Sequence, residues 1–157
     1  MMTQRCTDSK IVNDILDKAF RRAKENANAI QGEKDKIKLA KRRELVRLET
    51  VKNIVISDIN KLLIKIPKEK DLQAFYRELL DIMFGWRNIR KSIIRIRYIR
   101  IFINDLYERY KNSIKITRDP IKMSQLRKEF YGRVASFLKR NSKHFKLLFE
   151  VYKAFEN

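Results

Sequence analysis

The sequence predicts an all-α fold, an antiparallel helical bundle of about five helices, three of them long. Three observations predict it. Glycine and proline number only 3 and 2 in 157 residues, too few for the tight turns of a sheet protein. Apolar residues make up 44 % of the chain and charged residues 36 %, enough for a packed interior and too apolar for a disordered tail. The apolar residues also recur at spacings of three and four along extended segments, as in helices that bury one face. Residues 1–157 fit a single domain, since one core commonly serves up to about 200 residues.

The first element begins after Asp8 or Ser9, either of which suits a helix N-cap, and runs from about Lys10 to Ala29. Ile11, Ile15, Phe20, Ala23 and Ala27 form its stripe, and Gly32 breaks the pattern. The second spans about Glu33 to Lys65, with Leu45, Leu48, Val51, Val55, Ile59, Leu62 and Ile66 as its seam. Its first half, KDKIKLAKRRELVR, reads as basic and solvated. Pro67 ends it, because the residue before a proline is pushed out of the α region. Asp71 is the expected cap of a third, shorter helix, with Leu72, Phe75, Leu79 and Met83 turned inward and Gly85 as an αL C-terminal cap.

A strand contests the fourth segment, WRNIRKSIIRIRYIRIFINDLYERYKNSI. Seven isoleucines between Ile89 and Ile103, and the near-alternation IRIRYIRIFI, suit β-structure. Yet Ile89, Ile93, Ile96, Ile99, Ile103, Leu106 and Tyr110 also step by threes and fours, and a strand of that length is unusual. Helix is therefore the expectation. The turn TRDP marks the next boundary, with Asp119 as N-cap and Pro120 as the first helical residue. Leu126, Phe130, Val134, Phe137, His144, Leu148, Val151 and Phe155 then form one stripe, read as a single last helix.

Charge and scarcity restrict function. Lys and Arg outnumber Asp and Glu by 38 to 19, a formal charge of +19, and self-repulsion of that size fits a polyanionic partner. Nucleic acid, an anionic membrane surface and an acidic protein are the candidates. Cys6 is the only cysteine and His144 the only histidine, so disulfides within the chain and His/Cys metal sites are excluded by count. The N-terminus lacks the apolar core of a signal peptide, and no apolar run is long enough to span a bilayer. A soluble, cytoplasmic protein is expected.

The search for catalytic groups is negative. Gly32, Gly85 and Gly132 are too far apart for a phosphate-cradling loop of the GxxxxGK[ST] type. His144 lies inside an apolar stripe and reads as a half-buried packing residue. Asp105 and Glu108, flanked by Arg109 and Lys111, read as salt-bridged surface groups rather than an acid/base pair.

The positive signal is the placing of the cations. Between Trp86 and Asn104 stand six, Arg87, Arg90, Lys91, Arg95, Arg97 and Arg100, and no acid. On a helix Arg87, Arg90, Lys91 and Arg97 fall on the half opposite the isoleucine seam. The arginine fork suits phosphate and stacks on bases. Further basic sites are Lys41, Arg42 and Arg43 in the second helix, and Arg127, Lys128, Arg133, Lys139 and Arg140 in the last. These twelve residues are the expected nucleic-acid contacts.

Two stretches go beyond composition. IPKEKDLQAFYRELLDIMF, residues 66–84, carries Ile66–Pro67, Leu72, Phe75–Tyr76 and Leu79. QLRKEFYGRVASFLKR, residues 125–140, carries Leu126, Gly132–Arg133 and Lys139–Arg140. Both resemble segments of the Nog-type nucleolar GTP-binding proteins, relatives of the Obg GTPases, and KRRELVRLETVKNIVISDINKLLIKIP resembles the basic helix that precedes the first motif. The similarity spans nearly the whole chain in order and spacing. In that family the region is an N-terminal helical domain placed before the GTPase domain.

The resemblance implies docking on ribosomal RNA of the immature large ribosomal subunit, in the nucleolus where the source is a eukaryote. GTP and Mg would belong to a GTPase domain beyond Asn157, so the residues here are expected to hold no cofactor and to hydrolyse nothing. An isolated domain and a shortened relative both remain open. Tyr76 and Gly132 also read as packing positions, Gly132 by allowing close approach of a neighbouring helix. The competing function is a protein-interaction bundle whose basic face meets an acidic partner or an adjacent GTPase domain. A membrane-surface role fits less well, because it needs an exposed apolar face beside the cations and the seams look committed to the core.

Overall fold

The computed structural model describes the backbone of residues 2–156 and the side chains from Ser9 to Glu156. The side chains of Cys6 and Asp8 thus lie outside what is described. Six α-helices are present: α1 Met2–Asn28, α2 Lys36–Lys65, α3 Ala74–Met83, α4 Trp86–Ile116, α5 Pro120–Arg140 and α6 Ser142–Glu156. A short 3-10 turn, Glu69–Asp71, precedes α3, and no strand occurs among the described residues. The contested isoleucine segment is helical throughout.

Side-chain bonds between helices show the antiparallel order. Lys18 pairs with Asp58 at 2.6 Å, Asn26 donates to Thr50 and Arg43 donates to the carbonyl of Ile30, so α1 and α2 run in opposite directions. Arg100 to Asn60, Lys52 over the Tyr107 ring and Lys41 to the Lys115 carbonyl do the same for α2 and α4. Phe102 stacked on Phe137, with Tyr110 bonded to Glu129, sets α5 antiparallel to α4. α6 then packs against α1 and α4.

The core is the meeting of these seams. Val12, Ala19 and Ala23 of α1 face Leu48, Val51, Val55 and Ile59 of α2, all buried. Ile89, Ile96, Ile99, Ile103, Leu106 and Ile114 run buried along α4, and each such side chain contributes roughly 1.5–3 kcal/mol on leaving water. Phe130, Val134, Leu138, Phe145, Leu148 and Val151 close the bundle from α5 and α6.

Helix ends follow chemistry the sequence partly disclosed. Asp35 Oδ1 accepts from the amides of Ile37 and Lys38, which starts α2 three residues later than expected. Asp119 accepts from Ile121 N at 3.0 Å, with Pro120 first in α5, as the TRDP turn predicts. Asp71 does not cap α3: it sits in the 3-10 turn, and Gln73 occupies the cap position without a side-chain bond. Ser9 lies within α1 rather than at its start.

Three further expectations are corrected. The last segment is two helices, because Asn141 leaves helical geometry at φ −104°, ψ 14°. Asn141 Nδ2 bonds the Phe137 carbonyl and Ser142 Oγ the Lys139 carbonyl, so side chains satisfy the carbonyls freed by the break. The inward face of α3 also differs. Leu80 alone is buried, while Phe75 is 67 % and Met83 52 % exposed and Leu79 faces solvent. α3 touches the other helices only marginally, so only the face that bears Leu80 is covered. Gly85 does close α3, donating to the Asp81 carbonyl, but its φ of 80° comes with ψ 121°, outside the αL region, and it also forms the N-cap of α4.

Candidate nucleic-acid interface

Several of the expected contact residues are tied into the fold. Lys41 Nζ donates to the carbonyl of Lys115 at 2.7 Å, at the C-terminal end of α4 where the helix dipole favours a cation. Arg43 is half-buried on the Ile30 carbonyl. Arg42 between them is exposed. Arg127 is held by Glu44 at 2.8 Å, both side chains largely buried, and its guanidinium lies over the Tyr131 ring. Breaking such a pair strands the surviving charge, so this arginine locks α5 onto α2. Arg133 is exposed but paired with Glu129 and set over Tyr110. Lys128, Lys139 and Arg140 are exposed without ion pairs among the described residues.

The α4 cations divide into two flanks. On one, Lys91 and Arg95 face the start of α6, where they and Lys143 lie near His144. His144 is buried, with Nδ1 2.8 Å from Ser92 Oγ. Burial, and then these three cations, push its imidazole below the ordinary histidine value. Phe102 of the same flank stacks on Phe137, over which Arg140 is placed, so Arg140 joins this side of the bundle. Lys91, Arg95, Arg140 and Lys143 are all exposed, and none forms an ion pair among the described residues.

On the other flank Arg90, Arg97 and Arg100 line an open groove of about 1270 Å³ between α4, the end of α2 and the segment before α3. Arg90 pairs with Glu69 at 2.6 Å and Arg100 donates to Asn60 at 2.7 Å, while Arg97 is exposed. Lys68, Lys70 and Arg77 complete the basic rim. Arg87 lies exposed on the outer half of α4, which also presents Tyr98 at 49 % exposure.

Some of the acidic residues are tied into the same framework. Glu108 pairs with Lys111 at 2.8 Å, as the reading of Asp105 and Glu108 as surface groups expects of it. No cluster of three or more His, Cys, Asp or Glu residues suited to a metal occurs among the described residues. Among them, too, no helix is long and apolar enough to cross a membrane.

The chain matches the description of the NOG1 N-terminal helical domain over residues 5–157. It belongs to that family. It is also similar to an uncharacterized protein of Methanocaldococcus jannaschii, 29 % identical over 130 residues. That alignment covers 82 % of this chain and 37 % of the relative, so the chain spans little more than a third of that protein's length.

Within this NOG1-type domain the two motifs occupy different settings. Ile66 and Pro67 line the groove, with Ile66 buried. Phe75 and Tyr76 of α3 are exposed and meet edge to face at 5.4 Å, and Tyr76 meets Phe155 of α6 at 6.1 Å. Gly132 is exposed, and a Cβ built on it meets nothing within 4 Å, so it does not admit a neighbouring helix. Sequence reasoning did not single out Arg95 and Lys143, nor the groove residues Lys68, Lys70, Arg77 and Arg100, as contacts. Arg95 and Arg100 fell off the helical half that holds the other α4 cations. The rest become neighbours only through the packing of α2, α4 and α6.

Proposed function

We propose that this domain is a non-catalytic rRNA-binding module that anchors a ribosome-assembly GTPase to the immature large ribosomal subunit. The observation that carries the reading is the cluster of exposed, unpaired cations Lys91, Arg95, Arg140 and Lys143, drawn from three helices onto one side of the bundle. Lys139, Arg87 and Arg42 extend the positive surface. Tyr98 supplies an exposed ring beside it for an unstacked base. Family membership points the same way, since the resemblance places such a domain ahead of a GTPase domain. The greater length of the relative accommodates one. GTP and Mg would then be held elsewhere in the longer protein, and the domain would work in the cytoplasm, or in the nucleolus of a eukaryote, away from membranes.

The test is a salt titration of binding to large-subunit rRNA fragments with the triple variant Lys91→Glu, Arg95→Glu, Lys143→Glu. Counterion release predicts that the log–log salt slope falls by roughly one unit for each phosphate no longer neutralised, about three here. Helicity should be unchanged, because all three side chains point to solvent. An unaltered slope would overturn the assignment of this surface. Equal affinity for duplex DNA of the same length would reduce the function to generic polyanion binding.

A further inference from the structure

The groove on the other flank of α4 has a composition that RNA does not explain. Its apolar lining is aliphatic, made by Leu63, Ile64, Ile66, Pro67, Ile93 and Ile94. Ile64 is 82 % and Ile94 64 % exposed, side chains that gain nothing from water in the free protein. Its rim carries Lys68, Lys70, Arg77, Arg90, Arg97 and Arg100 against one acid, Glu69, already neutralised by Arg90.

Single-stranded RNA sites rely on aromatic planes on which bases stack. The one aromatic residue lining this groove is Trp86, which is 7 % exposed with its indole N–H committed to the Arg77 carbonyl. A small molecule is equally poorly matched, since its pockets commonly hold about 300–1,000 Å³ and are enclosed rather than open. An aliphatic lining flanked by cations is instead the complement of a helix that is apolar on one face and acidic at its edges.

We propose that this groove docks an acidic amphipathic helix from a partner protein. From Arg90 to Arg100 the α4 wall rises about 15 Å at 1.5 Å per residue, which matches roughly three turns of a guest helix. Aliphatic anchors of the guest at helical spacing meet Ile64 and Ile94. Aspartates or glutamates on its flanks meet Arg97 on one side and Lys68 and Lys70 on the other. Arg90, Arg97 and Arg100 lie on the flank of α4 away from Arg95, and the groove is argued from its own lining, so the inference does not rest on the rRNA reading.

The experiment measures anisotropy of a labelled synthetic peptide of about 14 residues, with leucines at three- and four-residue spacing and glutamates on both flanks, against the full chain. A scrambled peptide of equal composition is the control. The ordered peptide should bind at least tenfold more tightly than the scrambled one. Ile64→Ser should weaken it about tenfold while leaving rRNA-fragment affinity unchanged, because Ile64 is exposed at the end of α2 and the proposed rRNA cluster is drawn from α4, α5 and α6. Arg97→Glu should weaken it further. Equal binding of the two peptides, no binding at about 1 mM, or full affinity in the isoleucine variant would overturn the proposal. Loss of rRNA affinity in that variant would assign the groove to RNA instead.

Discussion

His144 shows how one side chain joins stability to the candidate binding surface. Its place in an apolar stripe was legible in the sequence, but the extent of its burial was not: expected half-buried, it is 6 % exposed. Its partner Ser92, 52 residues earlier, was not legible, because only the crossing of α4 and α6 brings the two together. Nor did the pattern reveal that Arg127 is anchored by Glu44, 83 residues away, and withdrawn from the surface. Burial and the fields of Lys143, Arg95 and Lys91 hold the folded imidazole below its ordinary value, so the unfolded chain binds the proton more readily. The stabilising contribution is therefore complete above the unfolded value of about 6.5 and is lost as pH falls through it toward the folded value. Urea unfolding should show a lower midpoint at pH 5.5 than at pH 7.5, and His144→Gln should flatten that difference. A midpoint independent of pH across this range in the native chain would contradict the account.

At the scale of elements, long seams were read correctly and short or interrupted ones were not. The isoleucine ladder of α4 has enough repeats for helical spacing to outweigh β-propensity, and its seam residues are buried as that spacing requires, except Ile93, which is half-buried at the groove. α3 has few turns, and its apolar residues gave a periodicity without saying what covers them; only the face bearing Leu80 is covered, and Phe75 and Met83 turn outward. The break at Asn141 was invisible because the apolar stripe continues in phase from Leu138 to Phe145 and Leu148 across it. The glycines separate two physical roles that sequence alone merges. Gly132 is exposed inside α5 with open space at its Cβ, so Gly132→Ala should stabilise the domain by about 0.5–1 kcal/mol. Gly85 holds φ 80°, so Gly85→Ala should cost about 1–3 kcal/mol through backbone strain. Chemical denaturation of both variants measures this, and destabilisation by Gly132→Ala would show a constraint on α5 that its surroundings do not contain.

For the whole molecule, charge acts on folding and on binding with opposite signs. The acids number 19 against 38 cations, and several of them, Asp58, Glu44, Glu69, Glu108 and Glu129, already stand in ion pairs. The remaining cations repel one another across a small bundle, and that repulsion extends about 30 Å at 0.01 M salt but only about 3 Å at 1 M. Added NaCl should therefore raise the melting temperature by a few degrees, about 3 °C for each kcal/mol of repulsion relieved in a domain of this size. The same salt should weaken polyanion binding steeply. Calorimetric scans from low to high NaCl, paired with rRNA-fragment titrations over the same range, separate the two effects. A melting temperature that falls with salt would mean that the pairs Lys18–Asp58 and Arg127–Glu44 outweigh the net repulsion. The excess charge would then be balanced within the fold, and a polyanionic partner would no longer be needed to account for it.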